Sequence, residues 1–136
     1  MIFTCRREKD GGRFKGSESE RLLILRTAIA EGVEYVDLEE DAAREIPRYG
    51  KTKRIVSYHN FRETPDNLSE IYSRLAACDA DIVKIATMAQ STSDNVRMLR
   101  VLKSAKYRPR PKKVQSSYLS SRSCVTFKSS ENGLFL

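Results

Sequence analysis

Residues 81–87 read Asp81-Ile82-Val83-Lys84-Ile85-Ala86-Thr87. A short apolar run rich in β-branched residues is a strand pattern, and this one has a lysine at its centre. A lysine flanked by Val83 and Ile85 is not a casual surface charge. Burial disfavours the ammonium form and lowers the amine pKa, the condition under which lysine becomes a Schiff-base nucleophile. The plainer alternative is a lysine stem that snorkels out of a core to keep its charge wet.

Three further apolar runs each end on an ionisable group. Ile2-Phe3-Thr4-Cys5 runs into Arg6, Tyr35-Val36-Asp37-Leu38 into Glu39, and Arg54-Ile55-Val56-Ser57-Tyr58 into His59, the only histidine. Helical patterns separate the runs. Ser17 with Glu20 three residues on is a capping-box start, and Leu22, Leu25 and Ile29, with neighbouring Leu23 and Ala30, recur at helical spacing until Gly32. A shorter helix is expected at about 41–46, ended by Pro47 and Gly50. Thr64 is read as the cap of a third, with Pro65 in its first turn and Leu68, Ile71, Tyr72 and Leu75 as its apolar face. The fourth starts near Ser93 and is expected to turn Val96, Leu99 and Leu102 inward.

The order is therefore β-α-β-α-β-α-β-α. Strands alternating with amphipathic helices imply an α/β fold with a parallel sheet joined by right-handed crossovers. From Ser104 the pattern stops. Arg108-Pro109-Arg110-Pro111-Lys112-Lys113 breaks helix and sheet alike, residues 116–130 are rich in serine, and Val125 to Phe127 offers at most one isolated strand. Residues 1–103 are accordingly read as one α/β unit and 104–136 as a basic, irregular tail, expected to be disordered.

The chain has 136 residues, enough for one domain, and 40% hydrophobic content, enough for a core. It contains no apolar run of membrane-spanning length and no signal-peptide pattern. Three widely spaced cysteines, Cys5, Cys78 and Cys124, make neither a zinc pattern nor a disulfide framework, which points to a reducing, cytoplasmic setting. The net charge of +7 suggests nucleic acid until it is located. Residues 104–136 hold seven of the basic side chains and a single acid, so the tail accounts for +6 and residues 1–103 for +1. A nearly neutral globular part without an aromatic stacking array argues against a nucleic-acid partner.

In parallel α/β folds ligands bind at the carboxyl ends of the strands. Arg6, Glu39 and His59 stand at those ends, and Lys84 slightly inside, where a long side chain reaches upward. Arginine offers a fixed charge and a fork of donors, lysine an imine, histidine a proton carrier near neutral pH. Glutamate can fix an imidazole tautomer and stabilise its cation. Each has a plainer reading. His59 alone is a structural loop histidine, Glu39 beside Glu40 and Asp41 favours a helix N-terminus, and Arg6 beside Arg7 is a solvated pair. Gly11, Gly12 and Gly16 lack the spacing of a phosphate loop and read as a flexible connection.

Residues 2–103 resemble the type I 3-dehydroquinate dehydratases, the Schiff-base enzymes of the shikimate pathway. The segments that carry the resemblance are Phe3-Thr4-Cys5-Arg6 followed by Gly11-Gly12, Tyr35-Val36-Asp37-Leu38-Glu39, Ser57-Tyr58-His59-Asn60-Phe61, and Val83-Lys84-Ile85-Ala86-Thr87-Met88-Ala89-Gln90. Singly each is weak; four in family order and at family-like spacing are specific. Asn60 departs from the commoner family form, which has Asp after the histidine.

The resemblance implies a (β/α)8 barrel of the TIM type, of which about four βα units are present. It implies 3-dehydroquinate as a small-molecule substrate, no metal or organic cofactor, no membrane, and a homo-oligomer as an open option. Lys84 would form an imine with the substrate C3 ketone, His59 would remove the C2 proton and protonate the departing C1 hydroxyl, Glu39 would orient His59, and Arg6 would bind substrate oxygens. The family's first strand, its later carboxylate-binding arginine and its closing Ser/Gln loop find no match here, so a chain truncated at both ends is expected. The competing expectation is a catalytically inactive half-barrel that binds or assembles only. Open sheet edges would favour association.

Overall fold

The computed structural model describes residues 1–105 with their side chains, and the backbone strands at 113–120, 123–130 and 133–135. The elements run β1 (Ile2–Thr4), a 3-10 turn (Glu8–Asp10), α1 (Glu18–Ala30), β2 (Tyr35–Glu39), α2 (Glu40–Glu45), β3 (Lys53–Asn60), α3 (Leu68–Ala76), β4 (Ile82–Met88) and α4 (Thr92–Ala105). β1 to β4 form a parallel sheet in sequence order, joined by helical crossovers. This is the α/β arrangement of four βα units that the sequence implies.

Beyond α4 the chain departs from expectation. β5 (Lys113–Ser120) adds to β4 in parallel, and β6 (Ser123–Ser130) and β7 (Gly133–Phe135) follow antiparallel. The single strand expected at Val125–Phe127 falls within β6. A serine-rich segment with no sustained apolar run gives little strand signal, because β pairing is made by backbone groups that every residue carries. The Pro-containing break, expected at 108–113, lies mostly outside the described residues. Among the described residues no helix is long and apolar enough to cross a membrane.

Side-chain alternation divides the sheet into two faces. Val36 and Leu38, Val56, and Val83 and Ile85 point one way and join Leu25 and Ile29 of α1, Ile71 and Leu75 of α3, and Met98 and Val101 of α4 in one core. The intervening positions, Asp37, Glu39, Ser57, His59 and Lys84, point the other way. Their alignment follows from the register, in which Glu39, Ser57 and Lys84 are direct neighbours across three strands.

Helix starts and faces follow local chemistry. Ser17 accepts from the Glu20 backbone N–H and Glu20 returns the bond to Ser17 N at 2.7 Å, completing the expected capping box. Leu22, Leu25, Ala28 and Ile29 are buried as the spacing implies, whereas Leu23 and Ala30 are exposed. Two expectations are corrected. Thr64 does not cap α3, which begins after Asn67; its hydroxyl instead donates toward Thr87 and the Met88 carbonyl, tying the loop to β4. In α4, Leu99 is 52% exposed and Val96 is exposed too, while Asp94, Met98, Val101 and Ala105 form the buried face and Leu102 is partly buried. Asp94 sets this rotation: one carboxylate oxygen accepts from the Gln90 and Ser91 backbone N–H groups at the helix start, which anchors that side against the sheet.

Candidate active site

Of the four side chains singled out in the sequence, three stand at or just past the carboxyl ends of β1 to β3, and the fourth, Lys84, lies inside β4. Arg6 lies two residues past β1, Glu39 ends β2, His59 is the penultimate residue of β3, and Lys84 is the third residue of β4. Lys84 remains 21% exposed at its side chain. The residue that joins it to the other strands is Asp37, which the sequence reading had not assigned a role. Asp37 Oδ2 accepts from Lys84 Nζ at 3.0 Å and from Arg6 Nη2 at 2.8 Å, and its Oδ1 accepts from the Ser57 hydroxyl at 2.5 Å. Asp37 is 4% exposed, so these are its available partners.

Burial by itself pushes the Asp37 carboxyl up. The adjoining Lys84 and Arg6 cations, with the Ser57 hydroxyl, outweigh that and hold it below the usual carboxylate range. Asp37 therefore stays ionised, which fixes the positions of both cations. The signal for it was available: an acid between Val36 and Leu38 in a strand, two residues from Glu39, must share the face of Glu39.

Glu39 is placed differently from its expected role. Its two oxygens are engaged by guanidiniums, Oε1 by Arg6 Nε at 3.2 Å and Oε2 by Arg21 Nη1 at 2.6 Å. Arg21 comes from α1 and is fully buried; it also donates to the Cys5 carbonyl at 3.1 Å and to Glu18. Glu39 thus holds Arg6, whose guanidinium bridges Asp37 and Glu39, rather than accepting from His59.

The His59 imidazole has both ring nitrogens buried and, among the described residues, without a hydrogen-bond partner. Burial lowers its pKa to about 4, and the cations Arg6 and Lys84 act in the same direction, against the weaker opposing pull of Asp37 and Asp10. His59 is therefore neutral near pH 7, with its proton-accepting nitrogen unused. A cleft of about 410 Å³ opens beside it, between Glu39, Ser57 and His59 on the sheet and Arg7, Lys9 and Asp10 on the loop after β1. That volume suits a small molecule. The cleft stops short of Lys84.

The loop after β1 is built rather than slack. Gly11 closes the 3-10 turn in the left-handed region at φ +80°, and a Cβ on Gly12 would come within 2.0 Å of the Arg6 carbonyl oxygen. Arg7, instead of being solvated, donates to Asp10 and Asp41 at 2.6 Å each. These bonds hold the loop over the ends of β1 and β2.

A lysine, a neutral unpartnered histidine and a braced arginine on one sheet face are carbonyl chemistry in outline. The sequence model of the family described as type I 3-dehydroquinase matches residues 1–116. The chain belongs to the type I 3-dehydroquinase family. It is 42% identical over 107 residues to a 3-dehydroquinate dehydratase of Methanopyrus kandleri, covering 77% of this chain and 49% of that protein. A 3-dehydroquinate dehydratase of Methanothermobacter thermautotrophicus is 45% identical over 107 residues, covering 75% of this chain and 48% of the relative. In fold the chain resembles the crystal structure of a type I 3-dehydroquinate dehydratase from Clostridium difficile with covalently modified comenic acid, at a TM-score of 0.78 and 22% identity, over 87% of this chain and 51% of that one. The chain spans about half the length of these relatives. Its parallel sheet and helices thus correspond to part of a type I 3-dehydroquinase barrel.

Proposed function

We propose that the chain carries the Schiff-base site of a 3-dehydroquinate dehydratase, a hydro-lyase of the shikimate pathway. Lys84 attacks the C3 ketone of 3-dehydroquinate and water leaves, giving a protonated imine. That cation draws electrons from the adjacent carbon, so the C2 proton becomes acidic. His59 removes it, the C1–O bond breaks, and the proton returns from His59 to the departing hydroxyl as water. Hydrolysis of the imine then releases 3-dehydroshikimate and restores the lysine. Arg6 binds substrate oxygens, and Asp37 and Glu39 hold Arg6 and Lys84 in place.

The observation that carries this reading is the buried, unpartnered imidazole of His59 on the same sheet face as the Lys84 amine. An imidazole with a pKa of about 4 is a weak base on its own. Burial depresses it most; the cations that add to this are those an anionic substrate would neutralise, so binding would offset their share where the proton is to be taken. The same reading carries with it a cytoplasmic location and no nucleic-acid or membrane partner, with a homo-oligomer as an open option. It also keeps residues 1–103 as the barrel part and 104–136 as a basic segment, of which the strand β5 (Lys113–Ser120) adds in parallel to β4.

Reductive trapping tests it. With 3-dehydroquinate and borohydride, the covalent adduct is expected on the peptide containing Lys84. His59→Ala is expected to keep the adduct while losing about 10²–10⁴-fold in elimination. An adduct on another lysine with Lys84 unmodified would overturn the assignment. The absence of any adduct would favour the second reading, a catalytically inactive half-barrel that binds or assembles only, for which a cleft that stops short of Lys84 speaks.

A further inference from the structure

Charged groups and an apolar ring both stand beside His59. The charged groups acting on it are Arg6 from the end of β1, Asp37 from β2, Lys84 from β4 and Asp10 from the 3-10 turn. The apolar neighbour is Phe61, whose ring lies over the imidazole with 6.0 Å between centroids and 14° between planes. That is an offset stack of two flat rings.

Phe61 is 44% exposed, so filling a core does not explain it. It is held from behind by a glycine. An ideal Cβ on Gly11 would fall 2.3 Å from Phe61 Cζ and 2.6 Å from Cε2, so the ring occupies the space that any other residue at position 11 would fill. The left-handed φ of Gly11 adds a second reason for glycine there. The loop after β1 and the loop after β3 meet at this contact, directly beside the cleft.

The state of the imidazole also needs explanation. A buried ring nitrogen without a partner is costly, and a histidine with a purely structural role normally finds a carbonyl or a hydroxyl. Among the described residues His59 has none at either nitrogen. Phe61 cannot supply a hydrogen bond, but it can exclude water.

We propose that Phe61 is a positioning residue of this site: its ring, seated on Gly11, shields the His59 imidazole from water and fixes the plane in which it meets a ligand. The purpose of the shield rests on His59 being the proton carrier. The shield itself does not, and its test is independent of turnover.

Because His59 is the only histidine, its imidazole resonances can be titrated by proton NMR without assignment. Removing the ring restores water, so Phe61→Ala is expected to titrate at least about one pH unit above the parent chain, while Phe61→Tyr, which keeps the flat ring, stays within about 0.3 unit. Gly11→Ala drives a methyl into the ring and is expected to shift the titration upward as well. In the Phe61→Ala background the same change should add nothing, since no ring remains to displace. An unmoved titration in Phe61→Ala would overturn the proposal, as would Phe61→Tyr shifting as far as Phe61→Ala. A failure to trap an imine at Lys84 would count against the enzymatic reading and leave this result standing.

Discussion

Lys84 donates from Nζ to Asp37 Oδ2 over 3.0 Å, across the intervening strand β3. The bond passes beside Ser57, which is the register neighbour of Lys84 and donates to the other Asp37 oxygen. Two strands are thereby linked through a third by side chains alone.

Asp37→Asn is therefore expected to destabilise the chain by about 2–3 kcal/mol, because Arg6 and Lys84 lose the anion between them while remaining partly buried. The same change should lower the His59 titration further, since Asp37 opposes the two cations there. Chemical denaturation and NMR titration measure the two effects separately. A loss below about 0.5 kcal/mol would place Asp37 among ordinary surface acids.

Arg21 fixes α1 to the site end of the sheet through a guanidinium with no exposure to water. Arg21→Met keeps the length and the apolar stem but leaves Glu39 with Arg6 as its remaining charged partner. A cost of about 3–5 kcal/mol is expected, with Arg21→Lys intermediate because an ammonium cannot span Glu18, Glu39 and the Cys5 carbonyl together. Equal stability of the Lys variant and the parent in urea would refute the forked role.

Stability should fall on mild acidification for one identifiable reason. The folded-state pKa of His59 is about 4 against about 6.5 for the unfolded chain. Between those values the unfolded state binds the proton and the folded state does not, so stability rises with pH across the window and is lost as pH falls through it. The acids held low, Asp37, Glu18 and Asp94 among them, act below their ordinary values near 4 and so leave the upper part of the window to His59. Thermal unfolding between pH 7 and pH 5 is expected to show a drop that His59→Leu removes. An equal drop in the variant would disconnect it from His59.

The parts of this protein that were legible in its sequence are those where one residue contradicts its surroundings. Lys84 between Val83 and Ile85 could be read, as could the ionisable ends of β1 to β3. Asp37, an acid between Val36 and Leu38, carried the same kind of signal, but its role shows only once strand alternation places it on the face of Glu39. The partner of Glu39 was not legible. Arg21 sits 18 positions earlier on a helix whose apolar residues alone define a plausible buried face, so nothing local marks it as interior. The buried face of α4 was misjudged for a related reason: Val96 and Leu99 are apolar, yet a carboxylate at Asp94 bonded to two backbone N–H groups fixes the rotation. Hydrophobicity could not report that polar anchor. β5 lacked even an apolar run to follow.

The alternation of the two sheet faces has a consequence for how this chain can vary. Along β2, β3 and β4 site and core positions alternate: Asp37 against Leu38, His59 against Tyr58, and Lys84 against Val83 and Ile85. Volume-conserving exchanges at Leu38, Val56 or Ile85 can accumulate without moving a charged group, and polar exchanges at Ser57 can alter the site without opening the core. Deletion of a single residue within a strand has no such latitude. It would exchange the two sets at once, sending valines toward the cleft and charges toward the helices. Lineages of this sequence should therefore tolerate drift by substitution in these strands and place their length changes in the loops.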